Sequence, residues 1–386
     1  MKEPAAKTDK TITLTLHRKI SEIAASDWNA CAGSENPFVR HAFLSALEDS
    51  GSADERTGWA PCHAALMKGE RLVAVAPLYV KSHSYGEYVF DHGWAQAFEQ
   101  AGGTYYPKLQ VAVPFSPVPG PRMLCRADAG IDAADFGDAL RQVCEKRGLS
   151  SVHITFCTEV EWKTLGKSGW LQRLGVQYHW HNQGYKHFDD FLAALAARKR
   201  KSLKRERRDA QASGLIFKTL SGADIKAKHW DAFFRFYRAT VDRKWGHAYL
   251  TRDFFAALSE RLGDEVALMM AEHDGAPVAG ALNLIGGDTL YGRNWGCEGE
   301  WPFLHFELCY YRAIDFAIER GLKRVEAGAQ GEHKIQRGYL PQPTFSTHWI
   351  AHQGLSDAVA EFLTRERRAV EQEIEMLAEL SPYRRD

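Results

Sequence analysis

Short apolar runs that end at glycine turns alternate with amphipathic helical patterns along most of the chain, and this alternation predicts an α/β protein. Residues 266–296 show it most clearly, as three strand-like runs with turns at Asp274-Gly275 and at residues 286–288. Near the N-terminus, residues 69–80 and 84–94 follow the same plan and are separated by a short polar turn. Both regions are therefore predicted to form meanders of antiparallel strands.

The two meanders align as an internal repeat. The alignment that places Gly69 on Gly275 also matches residues 72–78 with 278–284, Tyr88 with Tyr291, and Gly93 with Gly296. An amphipathic helix, a glycine and a further strand follow in both halves, at residues 135–154 and 307–327. A repeat of about half the chain predicts two tandem domains. A chance alignment of ordinary α/β patterns is the alternative.

The repeat divides the chain into three parts: a first domain at residues 11–175, a second at 176–354 and a C-terminal helix at 355–386. The first domain carries an insertion at residues 95–122, which is predicted to be a long loop with one strand-like piece. The second domain is predicted to begin with a strand near Tyr178 and a single long helix over residues 188–212.

Composition narrows the class of protein. The chain has 49 basic and 49 acidic residues, so it lacks the positive excess of a protein that coats DNA, and no DNA partner is expected. The seven cysteines are scattered without a C-x-x-C pair, so we expect reduced thiols and no metal site. No apolar run is long enough for a signal peptide or a membrane span, which predicts a cytoplasmic protein without membrane insertion.

Three stretches of the second half resemble one protein family. They are residues 188–214, which include RKRKSLKRERR, residues 242–255 (DRKWGHAYLTRDFF) and residues 302–339, which end in GAQGEHKIQRGY. Their order resembles the Fem-type (FemABX-like) acyltransferases, which are tandem GNAT-fold proteins, and in particular the FemAB-like branch. The resemblance covers roughly residues 20–352. It implies an α/β (α+β) fold of tandem duplicated GNAT-like domains, each a mixed sheet flanked by helices.

The resemblance also implies N-acyl transfer to an amine. The donor would be acyl-CoA or aminoacyl-tRNA as a co-substrate, with no tightly bound cofactor. The acceptor would be a small-molecule or peptide amine, such as a cell-wall peptide precursor. tRNA is then a candidate partner, and a monomer or homodimer is expected. The GNAT pyrophosphate loop, R/Q-x-x-G-x-G/A, corresponds to RNWGCEG at residues 293–299 with one residue too many, which disfavours ordinary CoA binding.

Acyl transfer to an amine requires a proton acceptor, donors to the oxyanion and cations for a phosphorylated donor. The segment GAQGEHKIQRGY supplies such groups together. Glu332 or His333 is the candidate base, and by the family resemblance Lys334 is the candidate contact to the anionic transition state or a phosphate. Gln330 and Arg337 are candidate substrate contacts. A polar hairpin in solvent is the alternative interpretation.

The segment YGRNWGCEGEWPF at residues 291–303 contributes a second set of candidates. Its candidate substrate contacts are Tyr291, Arg293 and Asn294. Gly296 and Gly299 are a candidate phosphate cradle in front of a helix, because glycine lets the backbone approach an anion closely. A plain strand-to-helix turn is equally consistent with this segment.

Two further segments carry candidate residues. Asp91, as a proton acceptor, and His92, as a substrate contact, are expected to face the domain junction if the repeat holds. A structural Asp–His pair is the alternative. Arg243 and Trp245 follow an amphipathic helix and are suited to clamp a phosphate or to stack on a base or sugar. A loop anchored by a buried tryptophan is the alternative for this pair.

The run RKRKSLKRERR at residues 198–208 concentrates positive charge on a predicted helix. The cations that share one helical face are Lys201, Lys204, Arg205 and Arg208. The family resemblance places phosphate-contacting cations on this helix. The interpretations are a clamp for a diphosphate or a tRNA backbone, a solvated helix face, and a dedicated DNA-binding patch.

The sequence leaves three functions open. The first is an N-acyltransferase, whose polar groups must converge on one cleft. The second is a non-catalytic binding protein for a phosphorylated or cell-wall ligand on the same fold. The third is a nucleic-acid accessory protein that depends on the basic helix and binds with a steep salt dependence.

Overall fold

The computed structural model describes residues 12–243, 246, 248–328 and 331–384. Within these residues lie fifteen strands: β1 (Ile12–His17), β2 (Trp59–Pro61), β3 (His63–Lys68), β4 (Arg71–Ala76), β5 (Leu78–Lys81), β6 (Lys108–Val111), β7 (Leu124–Cys125), β8 (Ser151–Cys157), β9 (Leu171–His181), β10 (Ile216–Ser221), β11 (Val266–His273), β12 (Ala276–Gly286), β13 (Thr289–Cys297), β14 (Arg324–Glu326) and β15 (Leu340–Ile350). Eleven strands form one sheet in the order β10-β11-β12-β13-β14-β9-β15-β8-β6-β5-β2, and β1-β3-β4-β7 form a smaller sheet.

Twelve α-helices cover the sheets in the same described residues: α1 (Ala25–Ala32), α2 (His41–Asp49), α3 (His92–Gln100), α4 (Ala133–Lys146), α5 (Glu159–Lys167), α6 (Phe188–Ala194), α7 (Ala197–Gln211), α8 (Ala227–Arg243), α9 (Arg252–Leu262), α10 (Leu304–Phe306), α11 (Arg312–Glu319) and α12 (Gln353–Glu379). A π-helical turn, Glu307–Tyr311, joins α10 to α11. The single long helix predicted over residues 188–212 is wrong. Leu195 interrupts it with extended backbone, where it bridges to Tyr383.

Both halves contain the predicted hairpin, helix and strand. Gly69 and Gly275 turn the β3–β4 and β11–β12 hairpins at φ values of 61° and 78°, which glycine adopts without steric cost. In each half, the strand that completes the meander pairs in parallel with the strand that follows the helix. These pairs are β6 with β8 and β13 with β14. Each half thus contributes one parallel pair of strands to the large sheet, and the repeat includes this pair.

The third strand of the first meander is not the segment 84–94, as the sequence pattern predicted. Gly86 and Tyr88 have φ values of 80° and 60°, which a strand does not allow, and α3 begins at His92. Strand β6, in the predicted insertion, takes this place in the sheet. The alignment of this segment with residues 291–296 is therefore wrong.

Strands β9 and β15 join the two halves at the centre of the large sheet. Strand β9 follows β8 in the chain but pairs with β14, and β15 follows β14 but pairs with β8. The two strands also pair with each other, antiparallel. Each half thus gives its last strand to the other. The boundary predicted between residues 175 and 176 lies inside β9, and the domain division remains a prediction.

A hydrophobic core shared by the two halves fixes their relative position. Phe38 of the first half contacts Tyr291 of the second at a ring-centroid distance of 5.3 Å. Phe43 contacts Phe254 in the same way at 5.7 Å. All four side chains are buried. These aromatic contacts therefore hold the two halves in a fixed position on either side of the junction.

Candidate functional site

The parallel strands β13 and β14 separate after three paired positions, Thr289 to Tyr291 with Arg324 to Glu326. The space beyond them is a cavity of about 110 Å³, which we call the splay cleft. It is lined by Ala281, Leu282, Asn283, Gly292, Arg293, Asn294, Trp295, His305, Cys309, Tyr310 and Ala327. Strands β12 and β13, the helical run that begins with α10, and Ala327, which follows β14, therefore converge on one cleft.

A β-bulge in β13 shapes one wall of the splay cleft. Arg293 and Asn294 lie opposite the single residue Leu282 of β12. A bulge leaves backbone groups without a strand partner and changes the direction of the side chains at that point. Two backbone N–H groups in such a position are suited to bind the carbonyl oxygen of an acyl group.

Residues 332–337 form a 3-10 helix beside the splay cleft. His333 Nε2 lies 3.0 Å from the hydroxyl of Tyr310, a wall residue of the cleft. The ammonium group of Lys334 is buried and donates to the carbonyl of Gly328 at 2.9 Å. Burial lowers the pKa of Lys334 to about 8. His333 thus contacts the Tyr310 wall of the splay cleft, whose other walls include Arg293 and Asn294, and Lys334 is the next residue in the chain.

The other charged residues of this helix are placed differently. Glu332 is exposed to solvent. Arg337 is buried, and its guanidinium donates to Glu206 Oε2 at 2.8 Å and lies 3.4 Å from the ring centroid of Phe306. Glu206 also accepts from the hydroxyl of Tyr311 at 2.5 Å. Arg337 therefore ties the 332–337 helix to α7 and does not face the cleft as a substrate contact.

Glu326 is a candidate that the sequence patterns missed. It ends β14 where the strands diverge, and its side chain is buried. Its Oε1 lies 3.2 Å from Arg324 Nε, and its Oε2 lies 3.9 Å from His179 Nε2. Burial raises the pKa of the Glu326 carboxyl to about 7, although the charges of Arg324 and Arg293 oppose this rise. The signal in the sequence is a lone carboxylate at the end of a short predicted core strand.

Arg293 extends from β13 toward the first half. Its guanidinium donates to the carbonyl of Phe115 at 2.8 Å and lies 5.6 Å from the ring centroid of Phe38. Tyr88 lies close enough that the Arg293 charge opposes the rise in the Tyr88 pKa that burial causes. Tyr88 and Phe115 both have a positive φ, of 60° and 59°, which is strained for residues with bulky side chains. Strained backbone of this kind concentrates at functional sites.

A groove of about 230 Å³ runs between the halves from Tyr88 along β9 and β15, and we call it the junction groove. It is lined by Tyr88, Val89, Phe90, Phe156, Arg173, Leu174, Gly175, Val176, Gln177, Thr344, Ser346 and Glu366. Gln177 Oε1 lies 3.4 Å from His179 Nε2, the imidazole nitrogen nearest to Glu326. The groove therefore approaches Glu326 from the side of the first half.

The structure places Asp91 in a buried ion-pair network inside the first half. Lys108 Nζ donates to Asp91 at 2.5 Å and to Glu87 at 2.8 Å. Burial would raise the pKa of Asp91, but the charge of Lys108 and its hydrogen bond outweigh this effect and hold the pKa far below its usual range. Such an aspartate is a weak proton acceptor. The structural interpretation therefore fits Asp91, and its neighbour His92 is exposed at the start of α3.

In the first half, the position that corresponds to the splay cleft is filled by a side chain. Strands β6 and β8 also pair in parallel over three positions, but Arg122 occupies the space beyond them. Its side chain is fully buried and donates to the carbonyls of Val118 at 2.6 Å and Thr155 at 2.9 Å. The carboxylate of Glu161 accepts from the Arg122 backbone N–H at 2.7 Å. The parallel strands of the second half therefore provide the open cleft.

Five exposed cations form the outer face of α7, which we call the basic face: Arg198, Lys201, Lys204, Arg205 and Arg208. The opposite side of α7 packs on the helical run behind the splay cleft, where Arg207 pairs with Asp315. Lys199, near the start of α7, contacts Gln336 of the 332–337 helix. The basic face thus flanks the side of the splay cleft where His333 lies, and the junction groove lies elsewhere.

Gly296 lies against α8 and does not precede a helix. A Cβ at this position would meet the carbonyl oxygen of Phe236 at 2.1 Å. Gly299 is exposed at a φ of 77°, in the turn after β13. Neither glycine is a wall residue of the splay cleft. The structure therefore does not bring them together as the predicted phosphate cradle.

We expect Gly296→Ala to lower the free energy of unfolding by about 1–3 kcal/mol, because the added methyl group forces the backbone of α8 away from β13. Gly93→Ala is the control, since no atom lies within 4 Å of a Cβ there. In helix α3 this change should be neutral or stabilising by up to about 1 kcal/mol. Urea titrations of both variants measure the difference. Equal stability of Gly296→Ala and the wild type would contradict the described packing.

The remaining sequence candidates are Tyr291, Arg243, Trp245 and Gln330. Tyr291 is buried in the core shared by the halves. Arg243 is exposed and donates to the carbonyl of Cys297, the last residue of β13, at 3.1 Å. Trp245 and Gln330 lie outside the described residues.

Neither a metal-binding cluster nor a membrane-spanning helix is present among the described residues. No group of three or more His, Cys, Asp or Glu side chains in them is placed to hold a metal ion. None of the described helices combines the length and the apolar character that crossing a membrane requires.

Comparison with known proteins identifies relatives of this architecture. The FemAB-like family, described as peptidoglycan biosynthesis/recognition, matches residues 19–385. A search of curated proteins found no match. The crystal structure of FemX superposes with a TM-score of 0.56 at 11% identity, over 91% of this chain and 100% of that chain. L-PGS from Bacillus licheniformis superposes with a TM-score of 0.50 at 9% identity, over 86% and 98%.

At these identities the two superpositions show the fold. Together with the family match, they confirm the predicted FemAB-like family and the predicted class of tandem GNAT-like domains with mixed sheets. The family description, which includes peptidoglycan biosynthesis, supports the prediction that the protein is an enzyme.

Proposed function

The chain belongs to the FemAB-like family, and on this basis we propose that it transfers an acyl or aminoacyl group from a phosphorylated donor to an amine. The observation that carries the proposal is the splay cleft: the bulge of β13 forms one wall, and Tyr310 in another wall contacts His333, the residue before Lys334. The acyl carbonyl would lie against the bulge. The buried ammonium of Lys334 would stabilise negative charge that develops on the carbonyl oxygen or on the leaving group.

The basic face indicates the class of donor. Its cations extend from Arg198 to Arg208, which corresponds to about 15 Å of helix. Acyl-CoA and aminoacyl-tRNA both carry their acyl group at the end of a phosphorylated carrier, but tRNA presents a longer row of phosphates. The chain also lacks the regular pyrophosphate loop of CoA-dependent GNAT enzymes. Aminoacyl-tRNA is therefore our preferred donor, and acyl-CoA is the alternative.

The alternative function is a binding protein without turnover, because the description of the family includes recognition. A transfer assay separates the two functions. The protein is incubated with acetyl-CoA or with mixed aminoacyl-tRNAs and a panel of primary amines, and the amines are analysed by mass spectrometry. Our proposal predicts an amide product with one donor class. Donor binding without a product, for every amine and both donors, would instead identify a binding protein.

A further inference from the structure

We infer that Glu326 is the group that accepts the proton of the attacking amine, and that the acceptor reaches it along the junction groove. This inference rests on the proposed acyl transfer and adds a catalytic residue and an acceptor path to it. Glu326 ends β14 directly before Ala327, a wall residue of the splay cleft. Its Oε2 lies 3.9 Å from His179 Nε2, which lies 3.4 Å from Oε1 of Gln177 in the wall of the junction groove.

The hydrogen bonding of Glu326 is incomplete. The side chain is 4% exposed, and Oε2 accepts no hydrogen bond from the described residues. Buried polar atoms in native proteins are nearly always paired, so an unpaired carboxylate oxygen requires an explanation. An ammonium or amine of a bound acceptor would supply the missing donor at this oxygen.

The charged and titratable groups around Glu326 tune its affinity for a proton. They are Arg324 on the same strand, Arg293 and Tyr291 on β13, and His179 on β9. Burial lowers the pKa of His179 to about 3 and raises that of Tyr291 to about 12, so both are neutral near pH 7. Glu326, with a pKa of about 7, is thus the titrating group of this cluster near neutral pH. A general base works best when its pKa is near the operating pH.

The junction groove indicates the chemistry of the acceptor. Among the described residues that line it, the charged ones are Arg173 and Glu366, which neutralise each other through two contacts of 2.8 and 2.7 Å. The other polar walls are Gln177, Thr344 and Ser346, and Tyr88 and Phe90 form an exposed aromatic rim. Such a surface fits an uncharged chain rich in amide or hydroxyl groups that ends in a primary amine. A phosphorylated moiety finds no free cation here, in contrast to the basic face.

The transfer step requires no reactant other than the donor and the amine. The neutral amine attacks the acyl carbon, so a C–N bond forms while the C–O bond of an aminoacyl ester, or the C–S bond of a thioester, breaks. The proton that leaves the nitrogen passes to Glu326. Glu326 then returns it to the leaving oxygen or sulfur and is ionised again.

Glu326→Gln tests the role of this carboxylate. With the donor and amine that the wild type uses, transfer should fall by about 10²–10⁴-fold, while donor binding stays unchanged. The wild-type rate should rise with pH up to about 7 as Glu326 ionises, and the variant should lose this dependence. Glu87→Gln is the matched control, because burial also raises the pKa of Glu87 to about 7 but in the ion-pair network of the first half. It should keep the wild-type pH dependence.

The outcomes separate this inference from the proposed function. If the wild type transfers no acyl group, the proposed function fails. If the wild type transfers but Glu326→Gln keeps both its rate and its pH dependence, or if Glu332→Gln loses them instead, the assignment of Glu326 is overturned. An infrared pH titration of the unliganded protein adds a second readout. The difference between wild type and Glu326→Gln should show one carboxyl that titrates near pH 7, and a carboxyl that titrates near pH 4.5 would contradict the described environment.

Discussion

Replacing Lys201 and Arg205 together by alanine should weaken binding of aminoacyl-tRNA about a hundredfold or more at low salt. Both side chains are exposed one helical turn apart on the basic face, and no ion pair occupies them among the described residues. Each charge-assisted contact to a phosphate contributes on the order of 1.5–3 kcal/mol. The loss of two contacts therefore corresponds to about 3 kcal/mol or more, which is about two decades in the dissociation constant.

Arg365→Ala/Arg368→Ala is the control for this experiment, because it removes two exposed cations from α12. Binding titrations at two salt concentrations should show a smaller salt dependence for the α7 variant only, since fewer counterions are released. The fold should be unaffected, because exposed substitutions usually change stability by less than about 0.5 kcal/mol. Equal affinities of the α7 variant and the wild type for both tRNA and CoA would leave a solvated helix face as the explanation of RKRKSLKRERR.

Arg337→Met should lower the free energy of unfolding by about 3–5 kcal/mol. The change removes one partner of a buried ion pair and leaves the Glu206 carboxylate uncompensated between α7 and the 332–337 helix. It also removes a cation from the face of the Phe306 ring. Urea unfolding followed by tryptophan fluorescence measures the effect.

The double variant Glu206→Gln/Arg337→Met provides the comparison. Because it buries no unpaired charge, it should recover part of the stability that the single variant loses. The single variant Glu206→Gln completes the double-mutant cycle. The coupling between the two side chains is the difference between the loss in the double variant and the sum of the two single losses, and additive losses would show that the residues do not interact. A stable Arg337→Met protein with weakened substrate binding would instead restore the role that the sequence predicted for Arg337.

The order of elements was accessible from the sequence because it depends on local patterns. Apolar periodicity and glycine turns predicted both hairpins, and Gly69 and Gly275 occupy the expected turns. The exchange of β9 and β15 between the halves was not accessible, since it depends on which distant strands pair. The same limit applies to residues 84–94, whose apolar pattern suggested a strand. Gly86 and Tyr88 have positive φ values, and the segment is held by contacts distant in sequence: Glu87 pairs with Lys108 of β6, and the Gly86 carbonyl accepts from the Phe115 N–H.

The candidate site divides in the same way. The segment around Lys334 could be found from its glycines and its concentration of charge, which are local properties. Glu326 could not, because its raised pKa results from burial among residues of β9, β13 and β14 that are far apart in sequence. The converse applies to Asp91, whose predicted role as a proton acceptor does not fit the structure. Its partner Lys108 lies in a segment predicted to be a loop, so no local pattern indicates that the carboxylate is neutralised.

The central claim is that a phosphorylated donor binds at the splay cleft of the second half, where the first half has its cleft filled by Arg122. Hydrogen–deuterium exchange with and without aminoacyl-tRNA or CoA tests it most directly. The account predicts slower exchange, with at least one of the two, in α7 and the 332–337 helix, and unchanged exchange in α4 and residues 113–122. Slower exchange confined to residues 113–122 and α4, or no change with either molecule, would contradict it.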